Sequence, residues 1–239
     1  MKSQPDRSVA TRILERFRYG LASQEILDAT ARWLRILVCP YYVVAECLQS
    51  GTTSVPRSLS GYQIRPLAAA DLERVRSMRV GQPVSGALEA LIGSGRCLGL
   101  IGDGQIAGYT CWRADMVPVP YSTSKLFELA DNEAYMFGAS IAREFRGRRL
   151  APALRRQLYV ELATTGRTKL YSITLAFNRS SRRFKARLGA RELELRLVLG
   201  IVNWRALDLR VRRYDSATRG PAMQLLRLPT GRVPEEKSS

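Results

Sequence analysis

The sequence contains no histidine. This absence excludes catalytic arrangements that depend on imidazole, such as Ser-His-Asp and Cys-His nucleophiles, and any histidine-ligated metal site. A general base must therefore be a carboxylate, a tyrosine, a lysine, a terminal amine or a water molecule. We expect no metal cofactor.

Cysteine is scarce, and its spacing predicts neither a zinc site nor a redox pair. The chain has 4 cysteines, and no two of them form a C-x-x-C pair. Such widely spaced residues are typical of reduced, mostly buried thiols in a cytoplasmic protein. The four residues are Cys39, Cys47, Cys97 and Cys111.

Long apolar runs are also missing. The longest, Ile36 to Ala45, is interrupted by Pro40 and is far shorter than the roughly 20 residues that a membrane span needs. The N-terminus lacks the apolar centre of a signal peptide. These observations predict a soluble, cytoplasmic protein.

Acidic residues are outnumbered, with 21 against 38 lysines and arginines, so the net charge is +17. Such a charge predicts an anionic partner. Nucleic acid, an anionic membrane surface, a phosphorylated cofactor and an acidic carrier protein all qualify. A general enrichment in arginine would give the same value without any partner, so charge alone does not choose among them.

The chain reads as one domain with appendages. Residues 1–50 form an N-terminal extension, in which residues 6–37 have the pattern of amphipathic helices and Pro40 to Leu48 that of a strand. The helical part either packs on its own domain or lies on an anionic membrane. Residues 51–60 read as a linker and residues 61–213 as the main domain. Residues 214–239 read as a weakly ordered tail, because glycine, proline, serine and charged residues dominate from Asp215 onward.

From Gly61 the predicted order is β, α, α, β, β, strand–turn–helix, β, α, β, β. An Asp-Gly pair at residues 103–104 predicts a hairpin between two apolar runs. Residues 116–131 read as one long irregular segment. A hairpin followed by βαβ units predicts an α+β fold with a mixed, mostly antiparallel sheet and helices on both faces.

The strand–turn–helix at residues 133–163 carries the strongest functional signal. An apolar strand ends near Ile141, a basic turn follows, and a helix with leucines four residues apart begins near Leu150. The first amides of a helix and its dipole attract anions. The turn and the first helical turns also supply Arg143, Arg146, Arg148, Arg149, Arg155 and Arg156. The alternative interpretation is an ordinary solvated basic loop.

Two segments resemble motifs of the GNAT superfamily of acyl-CoA-dependent N-acyltransferases. Phe145 to Ala151 is similar to the pyrophosphate loop R/Q-x-x-G-x-G/A, with Arg146 in first place and Ala151 in last. Asn178 to Ala190 resembles the N-x-x-A/S helix and its Leu-Gly ending. The resemblance covers residues 61–200. It implies the GNAT fold, in which the sheet splits in a V between two parallel strands and pantetheine lies in the split like an extra strand.

The resemblance also implies the residues that hold coenzyme A. The strand would bind pantetheine through its backbone, the loop would bind the diphosphate through its amides, and the N-x-x-S residues would lie near the pantetheine arm. The strand residues are Gly138, Ala139, Ser140 and Ile141, the loop residues are Arg146, Gly147, Arg148, Arg149, Leu150 and Ala151, and the last pair is Asn178 and Ser181.

Three positions depart from the family pattern. Arg149 stands where the family has its central loop glycine, Lys185 where many members carry a thiolate-protonating tyrosine, and Ala190 where an aromatic closes the motif. Without that tyrosine, the departing thiolate takes its proton from water or from another tyrosine, such as Tyr171 or Tyr135. Glu133 is the candidate general base, although a charged residue at the end of a strand has the same appearance.

The resemblance implies an N-acyltransferase that moves an acyl group, most often acetyl, from coenzyme A to an amine. The basic surface keeps a second donor open, a long-chain acyl group on an acidic acyl carrier protein. A third interpretation is a nucleic-acid-binding or catalytically inactive GNAT-fold protein. The chain shows no helix-turn-helix, zinc or RNA-binding signature, which argues against nucleic acid.

Overall fold

The computed structural model of the protein describes residues 38–48, 61–78, 85–201, 205–216 and 218–227. They divide into two compact units. The first unit contains Ala45–Val117 and Phe127–Ser172, and the second contains the described residues before Ala45, Pro118–Leu126 and those from Ile173 onward. No helix within these described ranges has the length and apolarity needed to cross a bilayer.

The first unit holds the predicted strand–turn–helix. Its strand order is β8-β7-β4-β3-β2. Strand β1 (Val38–Cys47) and strand β8 (Lys169–Leu175) each contribute residues to both units. The other elements that lie wholly in the first unit are β2 (Tyr62–Pro66), a 3₁₀ turn (Ala69–Asp71), α1 (Leu72–Met78), α2 (Gly86–Gly93), β3 (Cys97–Gly102), β4 (Gln105–Arg113), β7 (Glu133–Ile141), a second 3₁₀ turn (Arg143–Phe145) and α3 (Leu150–Thr164).

The sheet of the first unit is mixed, as predicted. β2, β3, β4 and β7 pair antiparallel, whereas β7 and β8 are parallel. The parallel ladder joins only Glu133–Tyr135 to Lys169–Tyr171, and both strands continue beyond it. The edge of β7 that faces β8 therefore leaves the ladder after Tyr135, which is the arrangement that a split sheet requires.

Two apolar clusters cover the two faces of this sheet. One packs the leucine stripe of α3 against Trp112, Ala134 and Leu170. The stripe has the helical spacing of four residues and consists of Leu150, Leu154, Leu158 and Leu162. The other cluster packs Val75 of α1 and Leu88 of α2 on the opposite side. The prediction of helices on both faces is thus confirmed.

The hairpin prediction is also confirmed. The prediction of reduced cysteines holds for Cys39 and Cys47 but is wrong for Cys97 and Cys111. Asp103 and Gly104 turn between β3 and β4 with φ angles of 50° and 72°, as a hairpin turn with two positive φ angles requires. The register places Cys97 directly opposite Cys111, and their sulfur atoms form a disulfide. The sequence spacing hides this pair because only strand register brings the two residues together.

The second unit continues the β pattern with strand order β11-β10-β9-β1-β8. Its further elements are α4 (Arg179–Arg187), β9 (Arg191–Ile201), β10 (Arg205–Arg213) and β11 (Met223–Arg227). Gly189, with a φ of 77°, ends α4 as predicted. The chain between β4 and β7 also contains two short strands, β5 (Met116–Pro118) and β6 (Lys125–Glu128).

Three expectations about organisation need correction or lie outside the described residues. The weakly ordered tail is wrong for Met223–Arg227, because β11 pairs antiparallel with β10. Residues 116–131 are not one irregular segment, since they hold β5 and β6. The strand predicted at Pro40 to Leu48 is confirmed as β1, which lies between β9 and β8 in the strand order. The amphipathic residues 6–37, the linker 51–60 and residues 228–239 lie outside the described residues.

Candidate functional site

The basic loop between β7 and α3 is anchored by Phe145. This side chain is buried in the cluster under α3 and meets the ring of Tyr62 edge-on, with centroids 6.1 Å apart. The chain then crosses the surface through Arg146, Gly147 and Arg148, all exposed. A buried aromatic residue next to an exposed loop fixes where the loop begins and leaves its backbone open to a ligand.

Arg149 is the residue from which α3 starts, and its backbone is left-handed. Its φ and ψ are 59° and 22°, a region in which an L-residue other than glycine is held at a cost of about 1–2 kcal/mol. Gly147 also has a positive φ, 83°. The loop therefore keeps the conformation that a glycine would take, although the sequence places an arginine there.

The amides at this junction face no acceptor within the described residues. None of those residues accepts a hydrogen bond from the backbone N–H of Gly147, Arg148 or Arg149. The first amides of a helix have no partner inside the helix, and Pro152 has no N–H to satisfy. A short arc of donors thus lies at the positive end of α3, where an anion is stabilised.

Two of the exposed arginine side chains around the loop contact the protein. Arg146 donates from Nε to the carbonyl oxygen of Ile141 over 3.2 Å. Arg148 donates to the Tyr62 hydroxyl over 3.0 Å and lies 5.3 Å from the centre of the Phe145 ring. These two side chains are therefore less available to an anion than the sequence suggests.

Arg155 does not add charge to the loop, contrary to the sequence prediction. Its side chain is buried, with 4% exposed, and forms an ion pair at 3.7 Å with Glu46 of β1, whose side chain is 1% exposed. Arg155 also contacts the sulfur of Met136 at 2.6 Å. Arg155 was predicted to face the anion, but its side chain faces the interior of the first unit.

Strand β7 contains a β-bulge at the level where its ladder with β8 has ended. Cys111 of β4 pairs with Gly138 and Trp112 pairs with Met136, so Phe137 is the extra residue. A bulge takes one residue out of regular pairing and redirects its backbone groups. Beyond it, Gly138, Ala139, Ser140 and Ile141 pair with β4 on one side.

Close packing holds this part of β7 against β4. A Cβ on Gly108 would lie 2.4 Å from Cδ1 of Ile141 and 2.8 Å from the carbonyl oxygen of Ser140. Any larger residue would push β7 away from β4. The glycine therefore fixes the strand that carries the four predicted backbone contacts.

The two predicted catalytic side chains lie together. Tyr171 donates from its hydroxyl to Oε1 of Glu133 over 3.1 Å, and the backbone N–H of Ala130 donates to Oε2 over 3.0 Å. Glu133 is 7% exposed and Tyr171 only 1%. The pair also lies at the paired end of the β7–β8 ladder. The two hydrogen bonds fix the orientation of the carboxylate, so the pair can hold a proton acceptor beneath the surface.

No family model matches the sequence, and no curated protein matches it significantly. Solved structures do match. A GCN5-related N-acetyltransferase from Sphaerobacter thermophilus superposes with a TM-score of 0.51 at 15% identity over 83% of this chain and 59% of that one. An acetyltransferase of the GNAT family from Colwellia psychrerythraea gives 0.50 at 16% identity over 69% and 56%, and a Drosophila protein gives 0.52 at 16% identity over 70% and 52%.

The chain has the GNAT fold. At 15–16% identity these matches establish the fold and nothing finer, and the chain covers only 52–59% of the length of those three structures. The split after Tyr135 and the basic loop before the helix that begins at Leu150 are the features expected from the GNAT resemblance that the first unit contains.

The remaining predicted contacts of the GNAT motif lie in the second unit. Asn178 caps α4, because its side-chain oxygen accepts from the backbone N–H of Ser181 over 3.0 Å. Lys185, which replaces the tyrosine of many GNAT proteins, is buried and donates from Nζ to the carbonyl oxygen of Ile173 over 3.1 Å. Asn178 and Ser181 therefore have a clear structural role, and their contact with coenzyme A stays a prediction.

Sequence reasoning missed two residues near the candidate site. Phe137 gave no signal, because a bulge follows from how two strands pair and not from residue type. Glu46 is the one charged residue in the strand sequence PYYVVAECL, and a lone carboxylate in an apolar strand is a sign of a buried ion pair. Its Oε1 accepts no hydrogen bond from any described residue.

Proposed function

We propose that the protein transfers an acyl group from the thioester of an acyl-CoA to an amine. The observation that carries the proposal is the arc of amides at Gly147, Arg148 and Arg149, which donate to none of the described residues and adjoin a left-handed arginine at the start of α3. A diphosphate fits such an arc because several backbone N–H groups converge on it at the positive end of a helix.

The residues of the first unit fit coenzyme A in two further ways. The edge of β7 leaves its ladder with β8 after Tyr135, so its backbone groups are available to an extended pantetheine arm. Arg146, Leu150 and Ala151 complete the diphosphate contacts. Gly138, Ala139, Ser140 and Ile141 supply the strand contacts.

The chemistry needs a donor for the thioester oxygen and an acceptor for the proton of the amine. The amide of Phe137, taken out of regular pairing by the bulge, is the proposed donor, because a fixed N–H stabilises the charge that develops on that oxygen. The amine nitrogen attacks the thioester carbon, the carbon–sulfur bond breaks, and coenzyme A leaves as a thiolate that is then protonated. Glu133 is the proposed base, acting through a water molecule because it is buried, and Tyr171 holds it in place.

Acetyl is the proposed transferred group, with acetyl-CoA as its donor. The proposal does not specify the amine beyond its access to the thioester. An acidic acyl carrier protein with a longer chain is the second candidate donor, favoured by the net charge of +17. The phosphopantetheine of a carrier protein has one phosphate in place of the diphosphate of coenzyme A. Arg149, which stands at the position of the central loop glycine, is compatible with this smaller group. No described feature favours nucleic acid beyond charge, and peripheral contact with an anionic membrane stays a proposal.

The test is release of free thiol from purified full-length protein. Acetyl-CoA, a long-chain acyl-CoA and an acyl carrier thioester are each offered with a panel of amines. Amine-dependent thiol release from acetyl-CoA supports the leading proposal, and release from the carrier thioester alone supports the second. Binding of coenzyme A without any turnover would leave a catalytically inactive GNAT-fold protein. If the protein shows no binding of coenzyme A and no turnover of any of the three thioesters, the proposal is refuted.

A further inference from the structure

Strands β9, β10 and β11 of the second unit bury a charged face of the sheet and carry apolar side chains on the opposite face. Directly paired residues of antiparallel strands share one face of the sheet. The register forms two apolar rows on one face, and we call these six residues the apolar face. The rows are Leu199–Leu207–Leu225 and Leu197–Leu209–Met223.

The opposite face carries charge and is buried. Arg196, Glu194 and Asp208 are each 0% exposed. Arg196 donates to Asp208 over 2.7 Å, and the Tyr41 hydroxyl donates to the same carboxylate over 2.9 Å. Burial, reinforced by the charge of Asp208, raises the pKa of Tyr41 well above its ordinary value. This charged face is therefore the inner face of the strands.

The apolar face is incompletely covered by the described residues. Leu225 is 62% exposed and Met223 61%, and Val211 nearby is 57% exposed. The other four leucines of the face are half-buried. Contiguous exposed apolar surface marks a place where another segment, molecule or membrane packs.

The size of the apolar face favours a helix as its occupant. Five residues of β11 pair with β10, so the face is about 17 Å long and about 14 Å wide, or roughly 240 Å² in flat area. A stable dimer buries about 800 Å² on each partner, which is more than this face offers. One helix about 10–12 Å across and about 11 residues long covers it.

We propose that the N-terminal amphipathic segment of this chain, residues 9–37, packs its apolar stripe on the apolar face. The sequence from Val9 to Leu21 carries apolar residues at helical spacing over about 18 Å, which matches the length of the face. A second such stripe runs from Ile26 to Leu37. The arginines on the other side of the segment then point to solvent, which suits their charge. The proposal does not rest on the enzymatic function.

The connection of the chain supports this occupant over a free partner. The segment leads directly into β1, which begins at Val38 and is the neighbour of β9 in the strand order. Adjacent strands lie about 5 Å apart, so the end of the segment is held close to the apolar face. A tethered segment has a high effective concentration at such a site.

Hydrogen exchange of the full-length protein, read by mass spectrometry, tests the packing. Peptides from residues 9–34 exchange slowly in the wild type, and at least about tenfold faster in the double variant Met223→Asp/Leu225→Asp. The matched control is Tyr121→Asp/Phe177→Asp, which replaces two exposed aromatic residues of the same unit, 45% and 57% exposed, and leaves that exchange unchanged. Circular dichroism confirms that each variant is folded.

The reciprocal variant Leu14→Asp/Phe17→Asp keeps the test valid if the sheet variant fails to fold. It accelerates exchange in the peptides of β10 and β11. Unprotected exchange of residues 9–34 in the wild type overturns the proposal, as does protection that survives Met223→Asp/Leu225→Asp. Sedimentation and vesicle pelleting then identify the true occupant: loss of a dimer in the sheet variant points to a second copy, and loss of binding to anionic vesicles points to a membrane.

Discussion

Tyr171 on β8 donates a hydrogen bond to Glu133 on β7 over 3.1 Å. The bond ties the two parallel strands at the end where they are still paired. A buried carboxylate with two donors is held in one orientation, so the pair can serve structure, catalysis or both. Kinetics separates these roles.

If Glu133 is the base, Glu133→Gln lowers kcat by about 100-fold, because the neutral amide cannot accept the proton of the amine. Tyr171→Phe lowers kcat by about tenfold, because the carboxylate loses the donor that orients it. The KM for the acyl donor changes by less than about threefold in both variants. Steady-state rates with saturating and limiting acyl donor make the measurement. An unchanged kcat in Glu133→Gln would leave the pair with a structural role only.

Arg149 gives a prediction about stability. Arg149→Gly relieves the left-handed strain at a φ of 59°, against the greater freedom of glycine in the unfolded chain, for a net gain of about 0.5–1 kcal/mol. Arg149→Ala keeps the strain and does not stabilise. Urea unfolding of the three proteins compares them. If both variants were less stable than the wild type, the arginine side chain would contribute a contact of its own.

The buried pair of Glu46 and Arg155 gives a prediction about coupling. Arg155→Met leaves a carboxylate that is 1% exposed without its cation, which costs about 3 kcal/mol in unfolding free energy. Glu46→Gln in the same chain recovers at least half of the loss, because the neutral amide is easier to bury and still accepts from the Tyr159 hydroxyl. A double-mutant cycle measures the coupling. Additive losses would mean that the two side chains do not interact.

Asp71 predicts a pH dependence of stability. Hydrogen bonds from Arg65 at 2.7 and 2.8 Å lower the pKa of this carboxyl from 3.8 to about 2. A carboxyl with a lowered pKa in the folded state stabilises it fully above the unfolded pKa, and that contribution disappears as the pH falls through about 2.

Wild type therefore loses at most about 2 kcal/mol between pH 4 and pH 2 from this group, and Asp71→Asn loses none of it. Unfolding by urea across that pH range, with both proteins, isolates the difference. If the unfolding free energies of the two proteins changed equally with pH, Arg65 would not favour the charged form of Asp71.

Local patterns in the sequence predicted much of the fold. The leucines of α3 repeat at helical spacing, and Asp103-Gly104 dictates its turn, so neither needs distant residues to be recognised. The strand pairing that joins Cys97 to Cys111 is different. It depends on a register between strands, which single-sequence patterns specify weakly.

The candidate site was predictable where a motif carried it. The position of the loop followed from Phe145 to Ala151, and Glu133 and Tyr171 were both named from the sequence. The burial of Arg155 was missed because a charged residue in a basic stretch looks exposed until Glu46 is brought to it by β1. The bulge at Phe137 was missed because it arises from a mismatch between β4 and β7.

Binding of coenzyme A to the loop amides is the central claim, and Gly147 allows a direct test. A Cβ at Gly147 meets nothing within 4 Å, and Asn and Asp both tolerate its positive φ. Gly147→Asn and Gly147→Asp therefore differ in one charge at the edge of the arc. Calorimetric titration with coenzyme A should show saturable binding to the wild type and to the Asn variant, weakened at least about tenfold in the Asp variant. Equal affinity in the two variants, or no binding to the wild type, would contradict it.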